Sequence, residues 1–167
     1  ETDLFMPIID AVADLVERPY DPANELAPAY RVIADHLRAA VFLMTDGVVP
    51  SNEGRGYVLR RIIRRALRYG RKLGLDGAFL HTLMPVVVDL MGDVFPEIVE
   101  RRERILEVIR KEEERFGRTL TSGLAVYGDI KKAMKAEGRT ELTGAEAFKL
   151  HDTFGFPVDL TALVAEE

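Results

Sequence analysis

The sequence predicts an all-α protein, an irregular multi-helix bundle with one long, charged helix. Three observations predict it. Apolar residues recur at three- and four-residue spacing through most of the chain. No segment alternates polar and apolar residues for the length of a strand. Prolines stand where helices can start, as at Pro28, Pro96 and Pro157. The 167 residues suit one domain or two small ones, and a hydrophobic content of 47% suffices for a core.

The first helix is expected over residues 3–17, where Leu4, Ile8, Val12 and Leu15 keep helical spacing and Pro7 sits in the first turn. The stretch Arg18-Pro19-Tyr20-Asp21-Pro22 is a loop. A second helix starts at Pro28, carries Val32, Ile33, Leu37, Ala40, Val41 and Met44, and stops near Asp46-Gly47. After the extended Val48-Val49-Pro50, either Ser51 or Asn52 can cap a third helix, which ends at Gly70 or Gly74. A fourth spans residues 79–91, with Gly92 as terminator. The longest helix follows Pro96 and continues into the 130s. It is crowded with charge, has a narrow stripe of Ile98, Ile105, Val108 and Ile109, and reads as a solvated helix packed on one side, with Gly117 and Gly123 as places to bend. Thr143 and Glu146 have capping-box spacing ahead of a short helix carrying Ala147, Phe148 and Leu150. Residues 151–156 then form a turn, and Pro157 opens a final helix.

Charge is distributed unevenly. Between Gly54 and Leu75 there are 8 basic residues and no acid, against 3 basic and 10 acidic before and 12 and 18 after. The net charge of −5 therefore hides a focal basic site in an acidic body. Counted from Leu59, the residues Ile62, Ile63, Ala66, Leu67, Gly70 and Leu73 fall on one side of the third helix. Arg60, Arg61, Arg64, Arg65, Arg68, Arg71 and Lys72 fall on the other. Three readings are open: a surface helix paired to acidic neighbours such as the glutamate-rich helix, a membrane- or partner-binding basic helix, and a nucleic-acid contact. Arginine dominates over lysine, and its planar fork suits bidentate contact with phosphate. The apolar face lacks the bulk a membrane-surface helix favours.

Other residues have plain readings. Asn52 can be an N-cap and Asp152 a turn former. His36, His81 and His151 show no metal-ligand spacing, and Asp35 and His36, as helix neighbours, point about 100° apart. With no cysteine there is no disulfide or thiolate metal site, which fits a reducing, cytoplasmic setting. No apolar run is long enough for a membrane span, and no signal peptide opens the chain. Residue 1 is Glu1 and residues 163–167 read as helix in progress, so the chain is expected to be a piece of a longer protein.

Several long motifs carry a family resemblance. They are Arg31-Val32-Ile33-Ala34-Asp35-His36-Leu37-Arg38, the stretch Asp46-Gly47-Val48-Val49-Pro50-Ser51-Asn52-Glu53-Gly54-Arg55-Gly56-Tyr57-Val58-Leu59-Arg60-Arg61-Ile62-Ile63-Arg64-Arg65-Ala66, and Leu150-His151-Asp152-Thr153-Phe154-Gly155-Phe156-Pro157-Val158-Asp159-Leu160-Thr161. With the opening Glu1-Thr2-Asp3-Leu4-Phe5, they resemble alanyl-tRNA synthetases in the same order along essentially the whole chain. The resemblance implies a middle piece of that class II enzyme. Residues 1–25 would be the end of, or linker from, the catalytic domain, and residues 26–167 the helical domain that recognises the acceptor stem of tRNA(Ala).

By the same resemblance, Asn52 and Asp152 would read a G·U pair, and the parent would join alanine to tRNA with ATP. ATP, Mg and an editing-domain zinc are implied for the parent; no cofactor and no catalytic residue is expected in this piece, which should be inactive alone. A G·U wobble leaves the guanine amino group without a Watson–Crick partner, and short polar side chains can reach such groups in the shallow RNA minor groove. Arg60, Arg61, Arg64, Arg65 and Arg68 would then grip phosphates and set register, while the glycines of residues 51–56 allow close approach of backbone to RNA. Partners would be the acceptor stem and the parent's own catalytic domain. The alternative is a non-enzymatic helical interaction module with an acidic protein partner.

Overall fold

The computed structural model describes residues 4–166, apart from the side chains of Asp159, Leu163 and Glu166. The expected helix start at Asp3 and the opening Glu1-Thr2-Asp3 lie outside the described residues. The fold is all-α: among the described residues there are eight helices and no strand. They are α1 (Met6–Leu15), α2 (Ala27–Thr45), α3 (Gly54–Lys72), α4 (Leu80–Met91), α5 (Pro96–Glu100), α6 (Arg102–Glu137), α7 (Gly144–Phe154) and α8 (Val158–Glu166). The chain divides into two compact units, Glu1–Glu114 and Arg115–Glu167, and α6 begins in the first and runs on into the second.

In the first unit α2 is the central helix. It packs most extensively along α3 and also meets α1, α4 and α5. Its apolar positions Ile33, Leu37 and Val41 are fully buried, as are Ile8 and Val12 of α1 and Leu59 and Ile63 of α3. Burial decides whether α3 forms. Each like-charge pair four residues apart costs a few tenths of a kcal/mol, whereas burying each of Leu59, Ile63 and Leu67 contributes about 1.5–3 kcal/mol. Helix α1 packs on α2 and α4 within this unit.

Three expectations for this unit change. Helix α3 is not capped by Ser51 or Asn52: its N-cap residue is Glu53, with no side-chain cap. Ser51 instead donates its Oγ to the Glu53 carbonyl oxygen at 2.8 Å. Asp35 and His36 do meet, Nδ1 to Oδ2 at 2.8 Å, because their side chains lean toward each other although their Cα–Cβ bonds diverge. The long helix also starts later than Pro96, since a break at Arg101 sets off the short α5.

The second unit is built around Phe116, Leu120, Leu150, Phe156, Leu160 and Val164, all buried. The Phe116 and Phe156 rings pack with centroids 5.9 Å apart. Gly123 does not interrupt α6, which is helical from Arg102 to Glu137. A Cβ there would stand 2.7 Å from Phe156 Cε1, so the glycine provides the ring's seat. The capping box is present: Glu146 N donates to Thr143 Oγ1 at 3.2 Å, and Thr143 N donates to Glu146 Oε2 at 2.8 Å. Residues 151–154 are not a turn but the last turn of α7, which ends at Gly155 in the left-handed conformation, φ 68°. The loop former is therefore Gly155, and Asp152 is helical. Phe148, expected on the apolar side, is 65% exposed.

Candidate nucleic-acid interface

The basic face of α3 divides into two flanks. At 100° per residue, Arg60 and Arg64 lie about 100° and 140° from Leu59, while Arg61 and Arg65 lie about 200° and 240° on the far side and Arg68 about 180°, between them. The near flank is covered by the start of α6. Arg60 and Arg64 are each 7% exposed, against a Glu112 that is 5% exposed. One carboxylate oxygen, Glu112 Oε1, accepts from Arg64 Nε at 2.9 Å, lies 2.8 Å from Arg64 Nη2, and lies 3.2 Å from Arg60 Nε. The last approach is an ion pair without hydrogen-bond alignment, since Arg60 Nε has no hydrogen-bond partner. Paired and hydrogen-bonded in this way, three charges can sit out of water.

Glu113, the next residue, points elsewhere because helix neighbours diverge by about 100°. Its carboxylate is buried at the start of α4. Oε1 accepts from Phe79 N at 2.8 Å and Leu80 N at 2.5 Å, and Oε2 accepts from His81 N at 2.9 Å and lies 2.7 Å from His81 Nδ1. It supplies from a distant helix the cap that α4 lacks locally.

The spacing of α6 holds the signal for both glutamates. Ile105, Ile109, Glu112, Glu113, Phe116 and Leu120 form one helical stripe, and all six are buried. The surrounding run of charge masks it. Two acids on an apolar stripe, opposite arginines that flank another, signal buried ion pairs.

The far flank is different. Arg61 lies with its Cζ 5.9 Å from the Tyr57 ring centroid. Arg65 is partly exposed, and its Nε is buried without a hydrogen-bond partner. Arg68 is partly exposed as well. Arg71, in the last turn, pairs with the exposed Asp76. Arg55, which the stripe count passes over, is exposed in the first turn of α3. A cation there opposes the helix dipole.

Asn52 is exposed just before α3, and its Oδ1 accepts from Arg60 Nη1. The glycine at 56 is not open toward solvent. It is buried, and a Cβ there would lie 2.2 Å from Ser51 Oγ and 2.4 Å from the Val49 carbonyl oxygen. Its role is to let α3 close on the segment that holds Asn52, rather than to bring backbone to a ligand. Asn52, Arg60, Arg64 and Glu112 are thus brought together in the first unit. Asp152 belongs to the second unit, exposed in the last turn of α7, where a carboxylate is unfavourable against the helix dipole.

Among the described residues no group of three or more His, Asp and Glu is placed to hold a metal ion, and no helix is long and apolar enough to cross a membrane.

Comparison with known proteins finds relatives along the whole chain. The family model described as tRNA synthetases class II (A) matches residues 1–167. Relatives include the alanine–tRNA ligase of Geobacillus thermodenitrificans, 50% identical over 169 residues that cover 100% of this chain and 19% of that protein. That of Shouchella clausii is 50% identical over 161 residues, 96% of this chain and 18% of that protein. That of Bacillus subtilis is 47% identical over 167 residues, again 100% of this chain and 19% of that protein. The chain thus spans about a fifth of the length of the curated relatives it matches. With a family model matched along its whole length, this chain belongs to the class II (A) tRNA synthetases.

Proposed function

We propose that this chain is the part of an alanine–tRNA ligase that holds the acceptor stem of tRNA(Ala) and reads its G·U pair, while ATP-dependent ligation of alanine is carried out by the rest of the enzyme. ATP, Mg and an editing-domain zinc belong, in this reading, to those other parts.

The observation that carries the reading is Arg65. It is a partly exposed guanidinium with a buried Nε that has no hydrogen-bond partner, on the flank of α3 that Glu112 does not neutralise. With Nε buried, the partly exposed remainder of the side chain is what can meet an anion, and a phosphate is the anion an arginine fork fits best. Phosphate contact is accordingly assigned to Arg65, with Arg61 and Arg68 beside it on the helix. Arg60 and Arg64, held by Glu112, support the helix from its buried flank. Base reading is assigned to Asn52 and Asp152. Asp152 supports this by its position, since its carboxylate is exposed in the last turn of α7 and open to a hydrogen-bond donor.

Binding of tRNA(Ala) to the full-length ligase, followed against salt concentration, tests the assignment. Arg65→Ala is expected to weaken binding of all acceptor stems alike and to lower the salt slope by about one unit. An unchanged slope and affinity would remove Arg65 from the interface. Asn52→Ala and Asp152→Ala are each expected to reduce the preference for G·U over G·C by about 1–3 kcal/mol. Loss of affinity with the preference intact would refute base reading by these residues.

A further inference from the structure

We propose that Arg60 is the positioning residue of Asn52, and that Glu112 holds Arg60 in place to do it. The inference rests on the base-reading role proposed for Asn52 and explains how that exposed side chain is given one orientation.

Glu112 is 5% exposed and is itself fixed by Arg64 through Nε at 2.9 Å and Nη2 at 2.8 Å. Arg60 lies across the same carboxylate oxygen, with Nε 3.2 Å away. The guanidinium is planar and rigid, so fixing one edge fixes the others. Its Nη1 then donates to Asn52 Oδ1.

An arginine offers only donors. The Asn52 atom that faces it must therefore be the carbonyl oxygen, whichever way the amide would otherwise turn. The NH₂ group is left as the end that Asn52 presents outward. Without Arg60, an exposed asparagine on a loop could turn either end toward a base and would discriminate poorly between donor and acceptor edges.

Two further observations favour this role over a general one. At 7% exposure Arg60 cannot reach a phosphate without leaving Glu112. Asn52 is also released from the capping role open to it, since α3 has no side-chain cap. Its short segment is held instead by Ser51, whose N donates to the Gly56 carbonyl oxygen at 3.1 Å and whose Oγ donates to that of Glu53 at 2.8 Å.

The test uses the full-length ligase and two tRNA substrates that differ only in a G·U or G·C pair in the acceptor stem. The readout is the ratio of their kcat/KM values. Arg60→Met is expected to lower this ratio roughly fivefold or more, the scale of losing one base contact. The double variant Asn52→Ala with Arg60→Met should have a ratio no lower than Asn52→Ala alone, because the two act through one contact. Arg60→Lys keeps a cation opposite Glu112 but lacks the fork that holds both partners at once. Its ratio should fall between those of the wild type and Arg60→Met, and it supplies the measurement if Arg60→Met does not fold. A wild-type ratio in the folded Arg60 variants, with kcat/KM lowered equally for both substrates, would make Arg60 structural only and overturn the inference. If Asn52→Ala itself keeps the wild-type ratio, the base-reading role fails and this inference falls with it. A reduced ratio in Asn52→Ala beside an unchanged one in the Arg60 variants overturns the Arg60 link alone.

Discussion

Arg64 and Glu112 are 48 residues apart in the chain and form a buried ion pair, with Nε 2.9 Å and Nη2 2.8 Å from the same carboxylate oxygen. The pair joins α3 to the start of α6 and buries one flank of the basic helix.

Glu112→Ala would remove the carboxylate that two buried guanidinium groups share. Removing one partner of a buried pair costs about 3–5 kcal/mol, so denaturant unfolding followed by circular dichroism should show a loss on this scale. Glu107→Ala removes an exposed partner of Lys111, 2.6 Å away, and should barely change the unfolding midpoint, since exposed ion pairs are screened by water. Similar losses in the two variants would mean that the Glu112 cluster is solvated in solution.

Glu113→Ala removes the acceptor for the backbone N–H groups of Phe79, Leu80 and His81. Loss of a cap and the orphaning of buried donors together cost about 2–4 kcal/mol. Hydrogen exchange at those three amides should accelerate more than in the middle of α4. Unaltered protection there would show that α4 does not depend on this carboxylate.

Gly123→Ala should destabilise by about 1–3 kcal/mol, because the added methyl meets the Phe156 ring. Gly117→Ala and Gly128→Ala, in the same helix with nothing within 4 Å of the added carbon, should stabilise by about 0.5–1 kcal/mol. Thermal unfolding of the three variants distinguishes a packing glycine from two that only loosen a helix.

Acid should weaken the start of α7. Hydrogen bonds from Arg139 first, then from Thr143 backbone and side chain, hold the Glu146 carboxyl down to about 2, from an ordinary value of 4.5. A depressed folded-state pKa contributes stability that is complete above the unfolded value and is lost as pH falls through the folded one. Protection of the first amides of α7 should therefore be constant above about pH 5 and decline between 4.5 and 2. Glu146→Gln should abolish this pH dependence.

Much of the fold could be read from local pattern. The helical spacing of Ile33, Leu37 and Val41, the Thr143–Glu146 capping box and the glycine after Met91 are short-range signals, and α2, α7 and the end of α4 follow them. The alternation of apolar and basic residues along α3 also correctly places Leu59 and Ile63 in the core. Local pattern failed where a competing contact or turn a few residues away took over. Asp152 resembles a turn former, but it is helical because Gly155 takes the left-handed position three residues later. Asn52 resembles a cap, but Arg60 engages its amide oxygen.

By itself, the sequence determined that the chain is helical, that positive charge is concentrated on α3, and which long motifs place it among the tRNA synthetases. These depend on the order and periodicity of residues along one segment. Only the tertiary structure decided how the arginines are divided. An arginine's availability depends on whether a carboxylate from a distant part of the chain is buried against it, and Glu112 covers Arg60 and Arg64 but not Arg65. Periodicity along α3 gives each arginine an angle around its own axis; the approach of α6 sets which of those angles face protein.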